Sequence, residues 1–85
     1  MEMTTMQHIE NCFNSGSEFV GVKLTIPNAP GYEVIINPRE NYKEKLAYYK
    51  NTYDENGVHK HVSAIKIVDC SNGETFEGVR KGLDI

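Results

Sequence analysis

Two histidines at positions 59 and 61 are the first candidates for chemistry in this chain. On a β-strand, residues at this spacing point to the same face, so His59 and His61 could both bind one metal ion. A zinc site needs at least a third protein ligand, and no cysteine, histidine or carboxylate stands at a typical ligand spacing nearby. We therefore expect neither a metal nor a cofactor, and we interpret the pair as solvent-facing residues at the polar start of an edge strand.

Three cations in the middle of the sequence form a second candidate site. On a continuous helix, Arg39, Lys43 and Lys50 project within about 40° of one another, next to an apolar stripe. Tyr48 lies nearly opposite that stripe, and cations combined with an aromatic ring can bind single-stranded nucleic acid. The alternative is a solvated face on which Tyr48 contacts a protein partner, because tyrosine combines apolar area with a polar tip.

Catalysis is not predicted. No serine, threonine or cysteine has the partners of an activated nucleophile, and Gly78 and Gly82 lack the rest of a phosphate-binding motif. Cys12 and Cys70 have neither a CxxC partner nor a histidine at ligand spacing, so we expect reduced, largely buried thiols. We expect the protein not to be an enzyme.

Length and composition limit what can position these residues. A chain of 85 residues and 9.6 kDa predicts one small domain over residues 1–85. The net charge of −3 provides no basic field for nucleic acid or anionic lipid. The N-terminus has no signal-peptide pattern, and no stretch reaches the roughly 18 apolar residues that span a bilayer. We therefore expect a cytoplasmic protein without membrane contact.

A helix and a hairpin are predicted for the first part of the chain. Thr4 followed by Gln7 is a capping-box pattern, which begins a short amphipathic helix over residues 4–14. Apolar residues then recur at every second position over 18–26, which predicts a strand. A turn rich in proline leads to a second strand at 32–36, so we expect an antiparallel hairpin.

A central helix is predicted from Pro38 to Asp54. Asn37 suits the N-cap position, Pro38 suits the first helical position, and Asn56-Gly57 is a typical helix end. Four residues form one apolar stripe on this helix: Tyr42, Leu46, Tyr49 and Tyr53. A hairpin of 48–53 with 58–64 is the alternative, because tyrosine and threonine suit strands, but the cap and the stripe favour the helix.

The last third of the sequence predicts strands. Residues 58–70 read as a strand with a bulge near Ser63–Ala64, where the alternation changes phase. Asn72-Gly73 predicts a two-residue hairpin turn, so 74–79 would pair back as a short strand and 80–85 would be a loose tail. The resulting order, α-β-β-α-β-β, predicts an α+β two-layer sandwich. Its sheet has three or four mainly antiparallel strands, with the central helix packed on one face.

The segment from 36 to 54 reads Ile-Asn-Pro-Arg-Glu-Asn-Tyr-Lys-Glu-Lys-Leu-Ala-Tyr-Tyr-Lys-Asn-Thr-Tyr-Asp. It resembles small uncharacterised proteins carried by phages, prophages and mobile elements of Gram-positive bacteria. Those proteins are similar in having a strand, an Asn-Pro helix start, a Tyr-Tyr-Lys helix and a further strand. The resemblance implies an accessory protein of a mobile element, and it brings no functional residue with it.

Two hypotheses about function follow from the sequence. The first is a non-catalytic binding module that acts through a protein partner or through self-association as a homodimer, because a small open sheet has unpaired edges. The second is a nucleic-acid-associated regulator that uses Arg39, Lys43 and Lys50.

Overall fold

A computed structural model describes residues 3–84 of the chain. Within these residues the elements follow in the order α1 (Thr5–Phe13), β1 (Phe19–Thr25), β2 (Glu33–Pro38), a 3₁₀ turn (Arg39–Asn41), α2 (Tyr42–Thr52), β3 (Lys66–Gly73) and α3 (Phe76–Gly82). In this part of the chain the strands form a three-stranded antiparallel sheet with β1 in the centre, in the order β2-β1-β3. The predicted α+β class, the antiparallel sheet and the β1–β2 hairpin are therefore confirmed. None of the helices in 3–84 is long and apolar enough to cross a membrane.

One face of the sheet is covered by α1 and the end of α2. Val20, Val22 and Leu24 of β1 point to this face and are at most 4% exposed. The core cluster on this face also contains the following residues: Met6, Ile9, Cys12, Phe13, Tyr49, Tyr53, Ile67 and Cys70. α1 forms as predicted, since the Thr4 hydroxyl accepts from the Gln7 N–H and the Gln7 side chain accepts from the Thr4 N–H.

The opposite face of the sheet is covered by α3, which the sequence did not predict. The prediction of a last strand over 74–79 after a turn at Asn72-Gly73 is wrong, because Asn72 and Gly73 pair with β1 and the chain then forms a helix. The predicted loose tail over 80–85 is wrong up to residue 84, since α3 continues to Gly82 and Leu83 is fully buried; Ile85 lies outside the described residues. A third layer therefore replaces the expected two-layer sandwich.

α3 lies close to the sheet because Gly21 of β1 has no side chain. A Cβ at Gly21 would collide with Val79 and would lie 3.0 Å from Leu83 Cδ1. The Thr75 hydroxyl caps the helix by accepting from the Gly78 N–H at 3.0 Å. At the other end the Lys23 ammonium donates to the Leu83 carbonyl at 3.0 Å, where a helix favours a positive charge.

The central helix is shorter than predicted. Asn37 is not an N-cap: it belongs to β2, is 2% exposed, and its Nδ2 donates to the Val20 carbonyl at 3.4 Å. The first predicted turn is a 3₁₀ turn, and α2 runs only from 42 to 52. The helix excludes the alternative hairpin over residues 48–52, and one antiparallel bridge of that hairpin is present, between Tyr53 and His59. It ends early because Tyr53 takes an extended conformation and the Asp54 carboxylate then accepts the N–H groups of Asn56 and Val58.

The predicted long strand over 58–70 is only partly correct. β3 begins at Lys66, and Val58 contributes one isolated bridge to it. The intervening segment turns instead, because His59 Nδ1 accepts the backbone N–H groups of His61 at 3.0 Å and Val62 at 3.1 Å. The prediction of a bulge near Ser63–Ala64 is wrong, because these residues lie in a turn before β3. β3 has a bulge at a different position: Lys23 pairs with Asp69 and Leu24 pairs with Ile67, which leaves residue 68 as the extra residue.

The two outer edges of the sheet differ. On β3, the Ile67 N–H donates to the Gly57 carbonyl at 2.8 Å, the Cys70 N–H donates to the Asp69 carboxylate at 2.8 Å, and His8 Nε2 lies 2.8 Å from the Cys70 carbonyl oxygen.

On β2, the Arg39 N–H donates to Glu18 and extends the ladder, so by alternation the backbone groups of Val34 and Ile36 point outward. Residues 3–84 supply no hydrogen-bond partner for them. The β3 edge is thus closed at Ile67 and Cys70, whereas the β2 edge is open at both Val34 and Ile36.

Candidate functional site

A crevice of about 450 Å³ lies between the end of α1 and the outer side of α2, and we call it the helix crevice. Its apolar wall consists of Phe13, Tyr42, Leu46 and Ala47, and its cations are Lys43 and Lys50. A volume of this size lies within the range of known ligand sites, which are mostly apolar with a few polar groups that fix orientation. The crevice therefore offers apolar contact beside positive charge.

Two aromatic rings fix the wall of the helix crevice. Phe13, the last residue of α1, packs edge-to-face on Tyr42, the first residue of α2, with ring centroids 5.1 Å apart. The Tyr42 hydroxyl donates to the Ser17 carbonyl at 2.7 Å, which holds the ring in place. Burial raises the pKa of Tyr42, so this hydroxyl keeps its proton over the neutral pH range. These contacts set the positions of the Phe13 and Tyr42 rings in the wall.

The two lysines of the crevice lie two helical turns apart and on the same side of α2. Lys50 Nζ lies 3.6 Å from a carboxylate oxygen of Glu10, and both side chains are well exposed, so this ion pair contributes little stability. Within residues 3–84, Lys43 forms no ion pair with a carboxylate. Both ammonium groups are therefore available to an anionic ligand, Lys50 by exchange with Glu10.

The structure separates the other two predicted contact residues from these lysines. Arg39 lies in the 3₁₀ turn, pairs with the Glu18 carboxylate at 3.3 Å and donates to the Gly16 carbonyl at 3.2 Å. Tyr48 is 49% exposed, but it does not line the crevice, and Lys45 Nζ lies 5.7 Å from its ring centroid. The expected face of three cations assumed a continuous α-helix from residue 38, and the 3₁₀ turn removes Arg39 from it.

The two histidine rings meet edge-to-face near the end of α2. Their ring centroids are 6.0 Å apart, and the His59 ring also packs against Tyr53 at 5.3 Å. His59 Nδ1 accepts two backbone N–H groups, so the proton of the neutral ring is on Nε2. The part of the chain from 3 to 84 holds no group of three or more cysteine, histidine or acidic side chains that could bind a metal ion. In this structure His59 stabilises a turn.

Cys12 and Cys70 form a side-chain pair that sequence reasoning did not find. Both thiols are free, each residue is 4% exposed, and both side chains lie in the core cluster between α1 and β3. The hydrogen bond from Cys70, opposed by burial and assisted by His8, lowers the pKa of Cys12 to about 7; the same bond and burial raise the pKa of Cys70.

The helical spacing of Ile9 and Cys12 could have placed one thiol on the buried face of α1. The partner could not be found from the sequence, because it depends on the register of β3.

Comparisons with known proteins give no further assignment. No family model matches the chain, and no curated protein and no solved structure matches it significantly. The resemblance of segment 36–54 to phage and mobile-element proteins therefore remains a prediction. The case for a function depends on the geometry of the chain itself.

Proposed function

We propose that the protein is a non-catalytic binding module whose helix crevice holds an acidic, partly apolar segment of a partner protein. The observation that carries the proposal is the helix crevice itself, which has a volume of about 450 Å³ and an apolar wall beside Lys43 and Lys50. A leucine or phenylalanine side chain of the partner would pack on Leu46 and Ala47, and flanking carboxylates would pair with the two ammonium groups. Charge complementarity of this kind raises association rates and selects among partners.

The binding test uses a synthetic peptide that alternates leucine and phenylalanine with aspartate and glutamate. We expect it to shift the backbone amide resonances of Leu46, Ala47 and Phe13 in an NMR titration, and to leave those of Val68, on the bulge of β3, unchanged. A basic peptide with the same apolar residues is the matched ligand control, because it should be repelled by Lys43 and Lys50.

Charge reversal tests the assignment of the lysines. The double variant Lys43→Glu, Lys50→Glu should weaken peptide binding by at least about tenfold, which corresponds to roughly 1.4 kcal/mol. Lys45→Glu is the matched control, since Lys45 lies on the same helix but outside the crevice. If the double variant binds the acidic peptide as tightly as the unaltered protein does, the crevice is not the binding site.

Nucleic-acid binding is the other hypothesis from the sequence, and the charge arrangement does not favour it. Arg39 faces Glu18 and Lys50 faces Glu10, so each phosphate contact would first have to displace a carboxylate. Oligothymidine is the probe for this alternative. Binding with a steep salt dependence, which flattens by about 2–3 in log–log slope when Arg39, Lys43 and Lys50 are all replaced by glutamine, would replace our proposal with this one.

We also propose that a second copy of the chain pairs with the open edge of β2. Val34 and Ile36 direct their backbone groups outward there, and Ile35 is 39% exposed beside them. Antiparallel pairing of two β2 strands about Ile35 would place the two Ile35 side chains opposite each other. It would also place Glu33 opposite Asn37, which avoids a pair of like charges.

Val34→Pro tests this pairing, because the N–H that proline removes points away from β1. We expect the variant to fold with an unchanged circular dichroism spectrum and to lose self-association in sedimentation. Ile35→Val, which keeps the edge, should self-associate like the unaltered chain. A dimer that survives Val34→Pro would show that the copies meet elsewhere.

A further inference from the structure

We propose that Cys12 and Cys70 are a two-electron redox site, which a hydroperoxide converts to an intramolecular disulfide between α1 and β3. The two residues come from elements that are distant in sequence, and both lie in one buried cluster. His8 stands one helical turn before Cys12, and its Nε2 lies 2.8 Å from the Cys70 carbonyl oxygen, so the face of α1 that carries Cys12 packs against β3 at Cys70. Two buried cysteines on facing elements are the arrangement from which an S–S bond of about 2.05 Å can form.

Neighbouring groups favour Cys12 as the attacking thiol. Cys70 and His8 both lower the pKa of Cys12, and His8 lies one helical turn earlier on α1. His8 Nε2 lies 2.8 Å from the Cys70 carbonyl oxygen and 3.7 Å from an Asp69 carboxylate oxygen. Because a carbonyl oxygen only accepts hydrogen bonds, Nε2 must carry a proton and present its positive edge to this region.

A small oxidant reaches Cys12 only when α1 opens locally. A groove of about 260 Å³ lies along the contact between α1 and β3, with His8, Asp69 and Val68 in its wall, and both cysteines lie behind this wall. Cys12 is the second-last residue of α1, a helix of nine residues, and helices this short open readily at their ends. Local opening of the last turn of α1 therefore exposes Cys12 while β3 holds Cys70 in place.

The chemistry balances with a hydroperoxide as the oxidant. The Cys12 thiolate attacks one peroxide oxygen, the O–O bond breaks, and Cys12 becomes a sulfenic acid while an alkoxide or hydroxide leaves. The Cys70 sulfur then attacks the sulfur of the sulfenic acid, the S–O bond breaks, and water leaves with the Cys70 proton. In sum, two thiols lose two electrons and two protons, and the peroxide is reduced. A dithiol reductant reverses the product by thiol–disulfide exchange.

Hydrogen peroxide is the probe, and the folded, full-length chain is the sample. We expect intact mass spectrometry to show the loss of two hydrogen atoms, thiol titration to fall from two groups to none, and peptide mapping to link Cys12 to Cys70 in the monomer. Dithiothreitol should restore both thiols. The oxidised form should unfold at a higher temperature, because the bond closes a long loop of the unfolded chain.

Single variants distinguish the two roles. Cys70→Ser should stop at the sulfenic acid of Cys12, which dimedone traps, whereas Cys12→Ser should react with peroxide at least about tenfold more slowly. If either variant fails to fold, the test uses the unaltered chain instead, and its rate of oxidation by peroxide is compared between buffer and urea. Faster oxidation in urea than in buffer, disulfides only between chains, or thiols that persist under peroxide that consumes glutathione would each overturn the proposal. These readouts do not depend on ligand binding in the helix crevice.

Discussion

Tyr49 is the largest fully buried side chain among residues 3–84, and its hydroxyl lies within the core. Burial is the main reason that its pKa is raised from 10.0 to about 12, and a hydrogen bond with the Asn37 side chain acts in the opposite direction. The ring also packs against Phe13 and Tyr53, each with centroids 5.9 Å apart. Tyr49 thus contacts α1 and β2 from its place on α2, and the folded state favours the protonated form of its hydroxyl.

Alkaline unfolding should reveal this proton. Because the pKa of Tyr49 is higher in the folded chain, its contribution to stability is complete below about pH 10 and is lost as the pH rises toward about 12. A pKa difference of two units between the folded and unfolded chain corresponds to roughly 2–3 kcal/mol in the free energy of unfolding. We expect the free energy of unfolding, measured with urea at a series of pH values, to fall over this interval.

Tyr49→Phe is the matched variant for the alkaline experiment. It should cost about 1 kcal/mol at neutral pH, because Asn37 loses a partner, and it should make the alkaline decrease smaller. Part of the decrease should remain, since burial also raises the pKa values of Tyr42 and Tyr53. Tyr32→Phe, at an exposed ring, should leave the profile unchanged. Identical profiles for Tyr49→Phe and the unaltered chain would contradict this account.

At the scale of elements, the contact between α3 and the sheet depends on Gly21. Gly21→Ala and Gly21→Val add one and three carbon atoms where Val79 and Leu83 already lie. We expect a graded loss of about 1–3 kcal/mol in urea unfolding, because an overpacked contact must shift side chains or the helix. The amide shifts in NMR should concentrate in α3 and spare α1. Unchanged stability in Gly21→Val would show that α3 is not docked on β1.

Local signals in the sequence predicted the elements that depend on local contacts. The capping box at Thr4 and the alternation of β1 both concern neighbours in the chain, and both were confirmed. The Asn72-Gly73 turn was wrong because tertiary contacts decide there: Asn72 Nδ2 donates to the Ser17 hydroxyl at 2.9 Å, and Gly73 pairs with Phe19. α3 has only seven residues, including two glycines, and Val79 is its one buried side chain, so the helix gave no periodic signal.

In the candidate site, too, features that depend on local spacing could be predicted and features that depend on long-range packing could not. The spacing of Lys43 and Lys50 on one helix was readable from the sequence, and the structure places both in the helix crevice. Phe13 comes from a different helix, so its place in the crevice wall depends on how α1 and α2 pack. The meeting of Cys12 with Cys70 depends in addition on the β3 register and on the bulge. Long-range pairing of this kind cannot be derived from periodicity alone.

At the scale of the whole molecule, the features with functional consequences occupy different surfaces. The helix crevice lies on the outer side of α1 and α2, the thiol pair lies inside, between α1 and β3, and the open strand edge belongs to β2. Phe13 follows Cys12 directly, so a disulfide that fixes α1 would also fix one wall of the crevice. We expect the affinity for the acidic peptide to differ between the oxidised and reduced protein, and isothermal titration of both forms measures the difference.

The difference between the two sheet edges also sets a limit on assembly. Strand pairing is a growth reaction, and a protein with two free edges can add copies at both ends without stopping. Here Gly57, His8 and Asp69 occupy outward hydrogen-bonding groups of Ile67 and Cys70 on β3, which leaves β2 as the edge in residues 3–84 where successive outward groups are open to pairing. Each copy then has a valence of one, and joining two copies consumes both. At higher protein concentration we therefore expect more of the chain to be dimeric, with no larger assemblies formed by strand pairing.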